Sequence, residues 1–132
     1  MSQNLDSIKR IIRERSDVFE RRFADGDAAA LVADYYVSDA QGLLVSAPDA
    51  PALRDRAATR ALFAALFKDF SRARQVPHLI RADGDLAYEV SNSYLTPRAG
   101  GADVEFRYVA VWRRCEDTWR VETDFFATGP IV

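Results

Sequence analysis

The stretch GDAAALVADYYVSDA, residues 26–40, decides how this chain folds. Gly26 can adopt the left-handed conformation that ends a helix, and the Asp27 carboxylate can accept hydrogen bonds from the free amides of the next one. A Leu, Val and Tyr face then predicts a short helix over Ala28–Tyr36, followed by a turn that ends at Asp39-Ala40.

The segments on either side of this stretch have the periodicity of amphipathic helices. Leu5–Phe23 places its apolar residues on one face, which predicts a first helix ending just before Gly26. Asp55 is a suitable N-cap for a third helix, which follows a loop with two prolines. The apolar stripe of this third helix is Leu62, Phe63, Leu66, Phe67 and Phe70.

From Gln75 onward the hydrophobic period changes to two, which is typical of strands. A short strand over Gln41–Val45 is predicted to precede them. The long predicted strands are Val76–Ala82, Leu86–Thr96, Val104–Arg114 and Trp119–Ala127, separated by turns at Asp83–Asp85, Pro97–Gly101 and Glu116–Thr118. Three helices followed by an antiparallel meander indicate an α+β domain.

Composition and charge limit the functional classes to which this chain can belong. The chain has 132 residues, enough for one domain, and a net charge of only −2, which predicts neither nucleic-acid nor membrane partners. The N-terminal residues lead straight into a charged helix without a signal-peptide core, so a cytoplasmic protein is expected. Cys115 is the only cysteine and His78 the only histidine, so no metal site and no cofactor is predicted.

The strand over Leu86–Thr96 has two distinct faces. The bulkier set, which includes Leu86, Tyr88, Val90 and Asn92, is assigned to the interior because a core needs volume. On the strand that follows, both alternating sets contain apolar residues, and the pattern leaves the interior side open. Apolar residues on both faces suggest that the outer face is also covered.

The order of these motifs resembles the nuclear-transport-factor-2-like (NTF2-like) superfamily, especially its SnoaL-like and DUF4440-type members. The resemblance spans nearly the whole chain. It rests on the Gly26-Asp27 helix pair, the Arg54–Ala58 helix entry, the Asp83–Ala87 turn, and the hairpin joining Val111–Arg114 to Trp119–Val121. Family members usually carry Gly where this chain has Asp55, a cap position that Asp tolerates well.

The resemblance implies one domain over residues 1–132, built as a cone-shaped α+β barrel. Three helices would pack in the concave face of a strongly curved antiparallel sheet and leave an apolar pocket. A homodimer formed through the sheet is also implied, and it would cover the outer face.

The superfamily's ketosteroid isomerase chemistry needs a Tyr and a protonated Asp as oxyanion hole, and an Asp base. The corresponding positions are Phe19, Val111 and Leu44, none of which can supply the required group. An oxyanion hole without donors forfeits several kcal/mol of transition-state stabilisation, so this isomerisation is rejected.

Other polar residues remain as candidates for the predicted pocket. The candidate ligand-binding residues are Tyr36, Tyr88, Asn92 and Arg107, and the candidate catalytic residues are His78 and Asp124. Each has a structural alternative. His78 can simply begin a strand, Arg107 can pair with Glu105 or Asp124, and the tyrosines can be core or interface aromatics.

Two functions stay open at this point. One is a binding module whose pocket holds a small hydrophobic or weakly acidic molecule. The alternative is a cofactor-independent isomerase, dehydratase, cyclase or hydrolase acting on a small apolar substrate, with Asn92 as orienter, His78 as base and Asp124 as acid. The missing base on the first strand favours the binding module.

Overall fold

A computed structural model describes residues 4–116 and 118–131 of the chain. Its helices are α1 (Leu5–Asp25), α2 (Ala28–Tyr35) and α3 (Arg56–Asp69), and a 3₁₀ turn spans Asp39–Gln41. Its strands are β1 (Leu44–Ser46), β2 (Phe70–Asp83), β3 (Leu86–Pro97), β4 (Val104–Arg114) and β5 (Trp119–Thr128). The turn predicted at Glu116–Thr118 includes residue 117, which lies outside the described residues.

The predicted helix boundaries are confirmed by their caps. Gly26 ends α1 with a φ of 69°, and the Asp27 side chain accepts a hydrogen bond from the amide of Ala30. Asp55 caps α3 in the same way by accepting from Ala58. Phe70 differs from the prediction, because the helix stops before it and the residue begins β2.

The five strands form one mixed sheet in the order β1-β5-β4-β3-β2. The four long strands are antiparallel neighbours, as the meander predicted, but β1 joins β5 in parallel at the edge. The wholly antiparallel sheet was therefore wrong at β1, whose predicted span over Gln41–Val45 also begins three residues too early. Strong curvature of the sheet stays a prediction.

Two β-bulges decide which side chains face the helices. His78 is an extra residue in β2, between the pairs Pro77–Ser91 and Leu79–Val90, and Glu122 is an extra residue in β5. Each bulge reverses the inward alternation of its strand. In β5 the buried residues change from Trp119 and Val121 to Asp124, which brings this carboxylate inside.

The interior assigned to β3 was wrong. Ala87, Glu89 and Ser91 are buried beneath the helices, whereas Leu86 and Tyr88 are each 43% exposed on the outer face. Ala87 and Ser91 leave room on the inner face for the large aromatic side chains of the core. Those aromatic side chains include Phe19, Phe23, Tyr35, Phe63, Phe67 and Trp112. On β4 the inner set is the one with Tyr108, Ala110 and Trp112.

Arg56 joins the start of α3 to the segment after α2. Its guanidinium donates to the carbonyl oxygens of Tyr36 at 2.6 Å and Val37 at 3.0 Å. The loop before α3 is closed at its base, because Val45 and Leu53 exchange two backbone hydrogen bonds of 2.8 and 2.7 Å. Tyr36 is therefore held in place independently of the tip of that loop.

Candidate active or ligand-binding cavity

A cavity of about 50 Å³ lies between the helices and the inner face of the sheet. Its wall is mostly aromatic and aliphatic, with four polar side chains. The apolar lining consists of Phe19, Phe23, Phe63, Leu66, Leu95, Phe106 and Phe126, and the polar lining of Gln75, Ser93, Tyr108 and Asp124. An apolar wall with a few polar groups is the usual composition of a small-molecule site. The enclosed volume holds a few waters or one small functional group.

Asp124 is the acid of this cavity. Its side chain is only 9% exposed, and its Oδ2 accepts a hydrogen bond of 2.7 Å from the Tyr36 hydroxyl. Burial raises the pKa of Asp124 to about 7, with a smaller contribution from the charge of Glu89, and the Tyr36 hydrogen bond opposes the rise. Asp124 can therefore either donate or accept a proton near neutral pH.

Glu89 is a second buried carboxylate, and it lies at the centre of a hydrogen-bond network. Its Oε1 accepts from Trp112 Nε1 at 3.0 Å. Its Oε2 accepts from the Ser91 hydroxyl at 2.7 Å and from the Tyr108 hydroxyl at 3.3 Å. Burial raises the pKa of Glu89, and these donors oppose the rise. Because Tyr108 also lines the cavity, the network fixes one of the cavity's hydroxyl groups.

Gln75 contributes an amide group to the same wall. Its side-chain Oε1 is buried without a hydrogen-bond partner within the described residues. The backbone of Gln75 is anchored to α1, because its carbonyl accepts from Arg13 and its amide donates to Glu20. A buried acceptor without a donor is costly, so a ligand hydroxyl or a water in the cavity would satisfy it.

Two of the residues predicted from sequence come together here. Asp124 lines the cavity, and Tyr36 is fully buried behind it as its hydrogen-bond partner. Phe19, which aligns with the isomerase tyrosine, also lines the cavity and offers no hydroxyl. The acid of this cavity therefore has a tyrosine partner, although it is not the one that the isomerase uses.

The other four predicted residues lie elsewhere. His78 is exposed in a groove beside α1, and Arg107 is exposed on the outer face, where it donates to the carbonyl of Thr128 at 2.6 Å. Asn92 accepts a 2.6 Å hydrogen bond from the amide of Ile131, and Tyr88 is on the exposed side of β3. Placing Tyr88 and Asn92 in the cavity was wrong because the faces of β3 were reversed. The structure does not unite His78 with Asp124 at this cavity.

Sequence reasoning missed Gln75, Glu89 and Tyr108. Glu89 was hidden because a charged residue in an alternating strand ordinarily faces water. The signal that could have found it is its neighbourhood, since Trp112, Tyr108 and Ser91 supply donors that need a buried acceptor.

No group of three or more His, Cys, Asp or Glu side chains within residues 4–116 and 118–131 could hold a metal ion. None of the helices in that part of the chain is both long enough and apolar enough to span a membrane.

The fold and the cavity together define an α+β protein with a small, largely aromatic pocket. The sequence profile of the SnoaL-like domain matches residues 16–121. The chain therefore belongs to the SnoaL-like domain family. No curated protein sequence matches the chain significantly.

Solved structures agree on the NTF2-like fold. A proposed dehydratase of the NTF2-like family from Streptomyces avermitilis superposes with a TM-score of 0.78 at 15% identity, covering 98% of this chain and 99% of that one. A ketosteroid isomerase-like protein from Erwinia carotovora atroseptica gives 0.74 at 14% identity, covering 95% and 98%. An NTF2-like protein from Novosphingobium aromaticivorans gives 0.75 at 22% identity, covering 94% and 83%. At these identities the likeness establishes the fold alone.

Proposed function

We propose that the protein binds a small hydrophobic or weakly acidic molecule in the cavity at Asp124. The observation that supports this most is the buried carboxyl group of Asp124 within a largely aromatic cavity wall. The polar end of the ligand would enter the cavity and meet Asp124, Gln75 and Tyr108. Its apolar remainder would lie against Phe106 and Phe126, which are partly exposed at the wall.

The protonation of Asp124 sets which ligands suit the site. Below about pH 7 the neutral carboxyl group can donate a hydrogen bond to a carbonyl or carboxylate oxygen. Above that pH the carboxylate repels a ligand anion and cannot donate. A ketone or a weak acid should therefore bind in the protonated state of the protein.

Acetophenone and ethylbenzene test this proposal, because they differ mainly in the carbonyl oxygen. We expect acetophenone to bind about tenfold more weakly at about pH 9 than at about pH 5, since the donor is lost as Asp124 ionises. Ethylbenzene should show no such change. Ligand-observed NMR at the two pH values measures both dissociation constants.

The matched variant is Asp124→Asn, whose amide remains a donor at every pH and still accepts from Tyr36. Its affinity for acetophenone should be independent of pH. Equal pH dependence in the variant and the wild type, or no saturable binding of either compound, would contradict the proposal.

A second candidate function is proton-transfer catalysis on a small carbonyl compound. The pKa of Asp124 favours it, because a general acid or base works best when its pKa is near the operating pH. Two structural neighbours are named as a proposed dehydratase and a ketosteroid isomerase-like protein, and both names refer to proton-transfer chemistry. Exchange of the acetophenone methyl protons for deuterium in D₂O measures this activity. Enzyme-dependent exchange that disappears in Asp124→Asn would favour the enzyme over the binding module.

We also propose that the protein is a homodimer formed through the outer face of the sheet. Val90, Val109 and Phe125 are neighbours across three strands, and Phe125 is 48% exposed. Tyr88 and Leu86 extend this apolar surface along β3. A contiguous apolar surface of this kind is typical of protein–protein contacts.

Charges placed in this surface should separate the subunits. We expect the wild type to have the mass of a dimer, twice the 14.8 kDa of one chain. The Val109→Asp/Phe125→Asp variant should have the mass of a single chain. Light scattering after size-exclusion chromatography measures both. Ala61→Asp/Ala64→Asp, on exposed positions of α3, is the matched control and should remain dimeric. A wild-type protein of single-chain mass would refute the proposal.

A further inference from the structure

A second recess, separate from the cavity at Asp124, lies between the N-terminal half of α1 and the bulge in β2. Its volume of about 450 Å³ falls within the usual range for small-molecule sites. Its floor is apolar, with Ile12 and Ile80 both largely buried. We call it the α1–β2 groove, and the proposed function of the cavity does not involve it.

Positive charge is concentrated around this groove although the chain as a whole is slightly acidic. Lys9, Arg10 and Arg13 reach it from α1, and Arg81 reaches it from β2. Acidic residues outnumber basic ones in the sequence, 20 to 18. Clustered cations around a recess of low polarity focus the local field and favour an anionic ligand over a neutral one.

The acidic groups near the groove do not cancel this charge. Glu89 is the acidic side chain that lines it, but both of its oxygens accept hydrogen bonds from the sheet side, as described above. Asp17 is exposed and lies 3.8 Å from Arg13 Nε. Within the described residues, Lys9, Arg10 and Arg81 form no salt bridge, and the one hydrogen bond among them runs from Arg81 Nη1 to the carbonyl of Ile80 at 3.1 Å. None of these three charges is neutralised by a carboxylate.

Local geometry also directs side chains into this groove. The bulge makes His78 the extra residue of β2, and His78 is among the residues that line the groove. Bulges commonly re-aim a side chain in this way. Arg13 is fixed across the groove, because its Nη1 donates to the carbonyl of Gln75 at 2.9 Å. The groove therefore has the anchored guanidinium of Arg13, two further polar residues from β2, His78 and Arg81, and an apolar floor.

We propose that the α1–β2 groove binds a small amphipathic carboxylate. The carboxylate would be held by Arg10, Arg81 and His78, and a short alkyl chain would lie against Pro77 and Leu79, which line the groove and are not fully buried. The apolar floor favours such a ligand over an inorganic anion. The limited volume and the net negative charge of the chain disfavour a polyanion.

Octanoate is the probe, with octanol as its neutral counterpart and inorganic phosphate as an anion without an alkyl chain. In an NMR titration of ¹⁵N-labelled protein, octanoate should give saturable shifts of the amides of residues 9–13 and 78–81. Octanol and phosphate should each bind at least about tenfold more weakly, because each lacks one of the two interactions.

The Arg10→Gln/Arg81→Gln variant removes two exposed cations and should weaken octanoate binding about tenfold. Arg21→Gln/Arg60→Gln removes the same charge from exposed positions outside the groove and should leave the affinity unchanged. Any of three results would overturn the proposal. These are shifts centred on Ser93 and Phe126 of the cavity, equal weakening in both variants, and phosphate binding as tight as that of octanoate.

Discussion

Replacing Glu89 with alanine should lower the free energy of unfolding by about 3–5 kcal/mol. The substitution leaves Trp112 Nε1 and the Ser91 and Tyr108 hydroxyls without their acceptor in a buried region. Each buried donor that loses its partner costs about 1–3 kcal/mol, and a cavity is left as well. Urea denaturation at neutral pH, followed by circular dichroism, measures the loss.

Two variants make this experiment specific. Glu105→Ala removes an exposed carboxylate from the neighbouring strand and should change stability by no more than about 0.5 kcal/mol. Glu89→Gln retains one acceptor oxygen and should fall between the wild type and Glu89→Ala. A loss below about 1 kcal/mol in Glu89→Ala would mean that the three donors find other partners.

The stability of the protein should fall as the pH rises from about 4 to about 7, and Asp124→Asn should remove much of this fall. The pKa of Asp124 is raised from 3.8 in the unfolded chain to about 7 in the fold. Between these values the folded state binds one more proton than the unfolded state, so raising the pH favours unfolding. A shift of this size corresponds to on the order of 4 kcal/mol, at about 1.4 kcal/mol per pKa unit.

The quantity to compare is the difference in unfolding free energy between wild type and Asp124→Asn at about pH 4 and about pH 8. Glu89 also has a raised pKa and adds a slope of the same sign in both proteins, so the comparison removes its contribution apart from its smaller coulombic coupling to Asp124. Asp69→Asn, at an exposed position, should track the wild type at both pH values. A difference that stays constant between the two pH values would place the ionisation of Asp124 outside this range.

The arrangement of helices and long strands could be predicted because its signals are local. A cap such as Asp27 or Asp55 needs only the amides three residues ahead, and the period of two along β4 is set by its own residues. Asp124 and Tyr36 were both predicted for the pocket, and the structure places Asp124 in the cavity wall and Tyr36 buried behind it. Their direct hydrogen bond joins residues 88 positions apart and has no local signature.

The sequence-based predictions were wrong where the orientation of a side chain depends on residues that are distant in the sequence. Leu86 and Tyr88 were placed inside because they are large, yet the residues of β3 that face inward include Ala87, Glu89 and Ser91. On β5 the assignment of Asp124 to the pocket was right, although simple alternation from Trp119 would have placed it in solvent. The bulge at Glu122 turns it inward. A bulge shifts the register of its strand by one residue, and neither the composition nor the hydrophobic period of the sequence reveals it.

The closed base of the loop over residues 47–52 makes it a natural attachment point. Since Val45 and Leu53 join its two ends and Arg56 separately secures Tyr36, extra residues at the tip would extend outward into solvent. A fluorophore, an affinity tag or a whole inserted domain could be carried there with the acid of the cavity still in register. The loop is thus a site through which this small protein can be immobilised or converted into a sensor.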